Sequence, residues 1–257
     1  MNDRQRQILA LLRTSDQTVK ALAAQFAVTE MTVRRDLKAL SACEGIVVAR
    51  GHVLLYDTLH KSSEDGATGA AGVRQAIAAA LYRRLFPTDA LFISGGRTTL
   101  AFARYLSAHC TAPVTVVTNS LAIASTLFRG NGLREGGGRC KVILLGGEFR
   151  DDKMDLMGPV AEKNLREYHV SWLVTGCDAA SEEGGFYTAD LSISNLERES
   201  VKIADHVAVI TESAKFGLKA LAKFADFSEI EVLATDRQMD EGLLCRLRAR
   251  GLEVVQG

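Results

Sequence analysis

The sequence predicts two folds on one chain: a short helical segment closed by a hairpin, followed by a larger α/β domain built on a parallel sheet. Three observations predict it. Residues 1–57 place apolar side chains at helical spacing three times in succession and then switch to two short β-branched runs. Residues 58–72, "TLHKSSEDGATGAAG", have almost no apolar anchors and read as a flexible linker. From Val73 to the last residue, 257, apolar runs of strand length alternate with helical runs, as expected of a parallel sheet covered on both faces.

The bulk numbers narrow the function classes. With 47% hydrophobic and 24% charged residues the composition is that of an ordinary globular protein. The formal net charge is zero, so any nucleic-acid binding must rest on a local patch. Residues 1–57 hold eight Lys/Arg and six Asp/Glu, a surplus of two that acts only if clustered. No apolar run approaches membrane-spanning length and the N-terminus carries no signal-peptide pattern, so a cytoplasmic protein is expected. The five cysteines, Cys43, Cys110, Cys140, Cys177 and Cys245, are scattered without a C-x-x-C pair and read as small buried apolar residues, with no metal site.

In the first helix, Ile8, Leu11 and Leu12 form one apolar face. The second, "TVKALAAQFAV", carries Val19, Leu22, Ala23 and Phe26 on one side. Ala27 and Val28 interrupt it, and Thr29 is placed to cap a third helix. There Val33, Leu37 and Leu40 make the buried stripe, which at about 100° per residue puts Met31, Arg34, Arg35 and Lys38 on the opposite side with Thr32 at its edge. Arg and Lys suit phosphates and guanine edges; Thr and Met suit smaller base contacts. A solvated charged face is the ordinary reading of such a helix. Three short helices with a tight turn before the third favour double-stranded DNA instead. "GIVVARGHVLLYD" then reads as a hairpin, completing a winged helix-turn-helix, with Arg50 at its tip in reach of a phosphate and His52 more simply solvated.

In the large domain, three polar steps fall where strands give way to helices or loops, the end at which ligands sit in such folds. "SGGRTT" brings Ser94, Gly95, Gly96, Arg97, Thr98 and Thr99 to a helix start suited to an anion. "TNS" adds Asn119 and Ser120, and "ESAKFG" adds Lys215. Taken singly, each also reads blandly: a ligand-free glycine turn, a helix cap, a solvated lysine. "RGNGLREGGGR", Arg129 to Arg139, reads as a surface loop.

These segments resemble the DeoR family of bacterial sugar-catabolism regulators. "VTEMTVRRDL" with "VKALAAQF" is similar to the family's helix-turn-helix signature, and "SGGRTT", "TNSLAIA", "LLGGEFR" and "ESAKFG" follow the order of its effector domain. The resemblance implies a Rossmann-like parallel domain similar in fold to ribose-5-phosphate and glucosamine-6-phosphate isomerases. It also implies a phosphorylated sugar or sugar derivative as effector, relieving repression of a carbohydrate operon. Gly147 and Asp178 join the implied effector site, no cofactor is expected, and the family is commonly dimeric or tetrameric. The chain departs from the pattern in five places. "RGHVLL" replaces a Gly-Gly-Ala after the wing. Ser94 stands where the family has Asp and Arg97 where it has Thr. Ile193 and Glu212 fall on family acids. The alternative is a sugar-phosphate isomerase with an accessory helical domain, for which Asp178 and Lys215 would be the surviving acid–base candidates. An activator rather than a repressor is a third reading that the residues alone do not exclude.

Overall fold

The computed structural model describes residues 3–12, 17–44, 46–49, 52–55, 69–86, 88–132 and 140–257. It divides into two compact units, residues 1–67 and 68–257.

The smaller unit runs α1 (Asp3–Leu12), β1 (Gln17–Thr18), α2 (Val19–Gln25), α3 (Glu30–Glu44), β2 (Ile46–Ala49) and β3 (His52–Leu55). The hairpin β2–β3 is antiparallel, and β1, whose Thr18 the pattern reading placed at the head of the second helical run, pairs antiparallel with β3. Ile8, Leu12, Leu22, Val33, Leu37 and Val53 lie in the core, so the hairpin contributes Val53 to the packing of the three helices. On α1, Leu9 is buried while Leu11 is only partly so, a small rotation from the expected face. The α2–α3 turn is held by Ala27 with φ 49°, a left-handed conformation that lets Val28 N–H donate to the Ala23 carbonyl. Thr29 caps α3 as expected, its Oγ1 accepting from Thr32 N–H at 3.3 Å.

The larger unit begins with α4 (Ala70–Leu85), three residues before the expected start at Val73. Ala70 and Ala71 are good helix formers, and Gly69 serves as cap. There follow β4 (Ala90–Ile93), α5 (Arg97–His109), β5 (Val114–Thr118), α6 (Leu121–Gly132), β6 (Cys140–Leu144), β7 (Glu148–Arg150), β8 (Asp155–Met157), α7 (Pro159–Leu165), β9 (Val170–Thr175), β10 (Ala179–Ser181), β11 (Gly185–Thr188), α8 (Leu191–Lys202), β12 (Ala204–Ile210), β13 (Ala222–Ala225), β14 (Val232–Thr235), α9 (Glu241–Ala249) and β15 (Glu253–Gln256). Seven strands form one parallel sheet in the order β15-β14-β12-β9-β4-β5-β6.

Alternation along each strand separates two cores. Leu91, Ile93, Val116, Trp172 and Val174 face α4, α5 and α6. Phe92, Val117, Leu173 and Val209 face α7, α8 and α9. Each fully buried side chain of this size contributes about 1.5–3 kcal/mol, and both faces must be covered for the sheet to hold.

Some expectations shift. Arg129 lies in the last turn of α6 rather than in a loop, and residues 133–139 of that segment lie outside the described residues. The run "GPVAEKNLREY" reads as helical throughout, but α7 stops at Leu165, because Glu167 and Tyr168 tighten into i−3 turns. Two features were not anticipated: the β7–β8 hairpin and a three-stranded antiparallel sheet of β10, β11 and β13. Cys110 and Cys140 are buried, but Cys245 is exposed on α9, contrary to the expectation for all five. No described helix is long and apolar enough to cross a membrane. Truncating Leu37, fully enclosed between α3 and its neighbours, is expected to cost about 2–5 kcal/mol. Differential scanning calorimetry of Leu37→Ala should show the smaller unit melting earlier while the main transition of the larger unit stays in place.

Candidate functional site

Two sets of residues are candidates, one in each unit. On α3, Met31, Arg34, Arg35 and Lys38 are exposed, with Met31 at 76%, while Thr32 is half-buried and shares a hydrogen bond with Thr29. The acid within this run is turned away from them. Asp36 is buried, accepting from Arg4 Nε at 2.6 Å and from Gln5 Nε2 at 3.0 Å. This pair ties α1 to α3 and satisfies the carboxylate that interrupts the Arg34–Lys38 run; the remaining acid near these cations is the exposed Glu30 at the first turn. The outward face of α3 is therefore cationic even though the chain as a whole is neutral. Arg50 lies outside the described residues, and of His52 only the backbone is described.

In the larger unit a pattern appears that single motifs did not reveal. Five parallel strands end in, or run directly into, a buried hydroxyl residue: Ser94 after β4, Thr118 in β5, Thr175 in β9, Thr211 after β12 and Thr235 in β14. These hydroxyls knit the carboxyl end of the sheet. Thr118 Oγ1 donates to the Ile93 carbonyl at 2.6 Å, and Ser94 Oγ donates to Thr175 Oγ1 at 2.9 Å. The Ser94 hydroxyl thus points into the floor of the site rather than outward. Thr99, also buried, donates to the Gly96 carbonyl and holds the start of α5. Gly96 and Arg97 are exposed and Thr98 is half-buried, leaving these three at the open rim of the helix start.

Asn119 and Ser120 are buried and brought to the same turn. Asn119 Oδ1 accepts from Gly95 N–H at 3.0 Å, joining the ends of β4 and β5. Asn119 also accepts from Leu156 N–H through its carbonyl, and Ser120 bridges Asp155, so the β7–β8 hairpin is stitched to this turn. Gly147 packs against Met157 at the start of that hairpin, where a Cβ would press on the Met157 backbone; it shapes the hairpin rather than facing the turn.

Asp178 and Lys215 lie at the ends of β9 and β12, neighbouring strands. Asp178 is exposed, and its carboxylate accepts from Thr188 Oγ1 and Ala189 N–H at 3.0 and 2.9 Å. Lys215 closes a tight turn, Ser213–Lys215, which is anchored to Asp236 through Ser213. Both charges act on Cys177 between them, whose thiol burial pushes up to about 12, so it is an inert thiol.

Two acids belong to this end of the sheet and were missed. Glu197 of α8 is buried beneath Ser94 and Thr175, accepting from Thr175 Oγ1 at 2.7 Å and from Ser200 Oγ at 3.3 Å. Burial raises its pKa from 4.5 to about 7 against the opposing pull of these hydroxyls. Its place on the inner stripe of α8, with Ser194 and Ser200 at helical spacing, was the available signal. Asp155 of β8 is 4% exposed, and burial raises its carboxyl from 3.8 to about 6, with Ser120 and Lys153 opposing. Its carboxylate lies where a side chain at Gly95 would go. Sequence gave little warning of it, because the hairpin that carries it was not expected.

The raised Glu197 fixes a sign. Folding favours its protonated form, so it costs nothing below pH 4.5, and the destabilisation grows until pH exceeds about 7, reaching on the order of 3 kcal/mol. Glu197→Gln should therefore gain stability over the parent as pH rises from 5 to 8, read as a widening gap in Tm. A gap that stays constant across that range would remove the buried charge from the account.

A family model described as a DeoR-like helix-turn-helix domain matches residues 4–56, and one described as the DeoR C-terminal sensor domain matches residues 70–237. A chain of Escherichia coli O157:H7 named for transcriptional repression of the aga operon is 28% identical over 99% of this chain and 93% of its own length. The transcriptional repressor GlcR of Bacillus subtilis strain 168 is 25% identical over 93% and 89%. The transcriptional repressor AccR of Agrobacterium fabrum is 25% identical over 91% and 89%. Among solved structures, ribose 5-phosphate isomerase A of Methanocaldococcus jannaschii is similar at 12% identity and a TM-score of 0.39, over 58% of this chain and 55% of that one. The chain belongs to the DeoR family of transcription regulators, acting through DNA and not as an enzyme.

Proposed function

We propose that this chain is a repressor of a carbohydrate-catabolism operon, that α3 reads its operator, and that a phosphorylated sugar-like effector releases it. The observation that carries the reading is the division of labour along one chain. Residues 1–57 carry an outward helix face with Arg34, Arg35 and Lys38, from which Asp36 is withdrawn by burial against α1 and on which Glu30 stands only at the first turn, and the larger unit gathers its polar groups at the carboxyl end of a parallel sheet. Residues 58–72 join them, with the last three already in α4. The repressor sense is supported by the names of the relatives.

On this reading Thr29 positions α3, and Met31, Thr32, Arg34, Arg35 and Lys38 face the major groove, with Arg50 at the wing. The effector's anionic group lies at the start of α5, where the free amides of the first turn and the Arg97 guanidinium favour negative charge. Asn119, Ser120 and Gly95 form the adjoining wall, and Lys215 and Asp178 the far side. Two copies assemble to match paired half-sites, and the protein works in the cytoplasm. Effector and operator then oppose each other through a coupling energy of about 1–3 kcal/mol.

Two measurements test this. Arg35→Ala should weaken binding to an operator recovered by in vitro selection by about 5- to 100-fold and flatten its salt dependence. Wild-type affinity in a gel-shift titration would remove α3 from the interface. Calorimetric titration with a panel of sugar phosphates should find a ligand whose affinity falls at least tenfold in Arg97→Ala. Unchanged affinity would displace the anion from the start of α5.

A further inference from the structure

Among the described residues, two buried side-chain polar atoms have no hydrogen-bond partner: Thr235 Oγ1 and Asp155 Oδ1. They are not equivalent. A hydroxyl without a partner costs little beside a carboxylate oxygen that is removed from water and left uncompensated. The other buried acids satisfy this demand. Asp36 holds Arg4 and Gln5, Glu197 holds two hydroxyls, and Asp236 accepts from Ser213 and Gln238.

Asp155 is also placed where a ligand would be read. Its backbone bridges Ser120, its carboxylate packs on Gly95, and Gly95 is held by Asn119. It therefore sits among three residues of the proposed effector site, on a strand that no motif pointed to. The hairpin that carries it is fixed from two further sides. Leu121 N–H donates to Met154, and Arg150 pairs with Asp190 at the start of α8 at 3.2 Å. An oxygen held this firmly without a donor is an acceptor in waiting.

We propose that Asp155 is a ligand-contacting residue, its Oδ1 accepting a hydrogen bond from a hydroxyl of a phosphorylated polyol whose phosphate lies at Gly96 and Arg97. This rests on the reading of the sheet end as an effector site and adds what that site recognises besides phosphate. The ligand hydroxyl approaches Oδ1 beside Gly95, which has no side chain to displace. Gly95 is required for the same reason: any Cβ there would occupy the space of the carboxylate. The carboxylate repels a bare phosphate and rewards one that carries a donor a short distance away, so it selects against inorganic phosphate.

The test uses the full-length protein at pH 7.5 and calorimetric titration with inorganic phosphate, ribose 5-phosphate and a set of hexose 6-phosphates and their unphosphorylated sugars. The parent should bind at least one sugar phosphate ten times more tightly than inorganic phosphate. Asp155→Asn should erase that advantage at least tenfold, leave inorganic phosphate binding equal or tighter, and melt no lower than the parent without ligand. Asp155→Ser, which shortens the side chain, should behave the same way. The proposal is overturned if both variants keep the advantage, if both melt lower than the parent, or if no sugar phosphate outcompetes inorganic phosphate in the parent. The underlying reading fails separately. Unphosphorylated sugars that bind, and lose binding in Asp155→Asn, with no contribution from phosphate or Arg97, would sustain Asp155 and remove the anion site.

Discussion

A parallel sheet must be covered on both faces, and most of the larger unit follows from that requirement. Because Leu91 and Ile93 point one way and Phe92 the other, helices are needed on each side. The chain meets this by returning through α4, α5 and α6 on one face and α7, α8 and α9 on the other. With both faces sealed, polar chemistry has only the strand ends left to occupy. The buried hydroxyls of Ser94, Thr118, Thr175, Thr211 and Thr235 mark that boundary, where the apolar interior stops and backbone amides turn outward.

The same geometry explains how acids enter the site. A strand end offers a position only to the residues that close it, and here the residue closing β4 is Ser94, where the family pattern has an acid. The carboxylates come instead from elements laid across the end: Glu197 from α8 below and Asp155 from the β8 hairpin at the side. Glu197 is satisfied by hydroxyls and behaves as part of the floor. Asp155 keeps one oxygen, Oδ1, without a partner, and its charge further disfavours ionisation of Glu197. The sheet end thus keeps negative character from different elements than those the motif reading singled out.

Most of the fold was legible because its signals are local. Helical spacing located α1, α2 and α3, the Thr29 cap marked the start of α3, and apolar runs located all seven strands of the main sheet. What escaped were short elements defined by their pairing rather than by an apolar pattern. The two-residue β1 exists only because Gln17 and Thr18 pair with β3, and "EFR" and "DLM" become strands only by facing each other. The site followed the same division. Glycine turns and helix starts could be read from neighbours in sequence. The inward turn of Ser94 could not, because Thr175 lies 81 residues away. Asp36 shows the converse: it lies in an obvious basic run, yet its partner on α1 decides that it faces inward.

That inward turn of Asp36 has a consequence for descent. On α3 the residues that hold the smaller unit together, Val33, Asp36, Leu37 and Leu40, and the residues it presents outward, Met31, Arg34, Arg35 and Lys38, are separate sets. Substitutions can accumulate in the second set while the first is untouched. If α3 reads the operator as proposed, a lineage built on this scaffold can change the sequence it reads through single replacements without passing through unfolded intermediates, and duplicated copies can diverge in target while keeping one architecture.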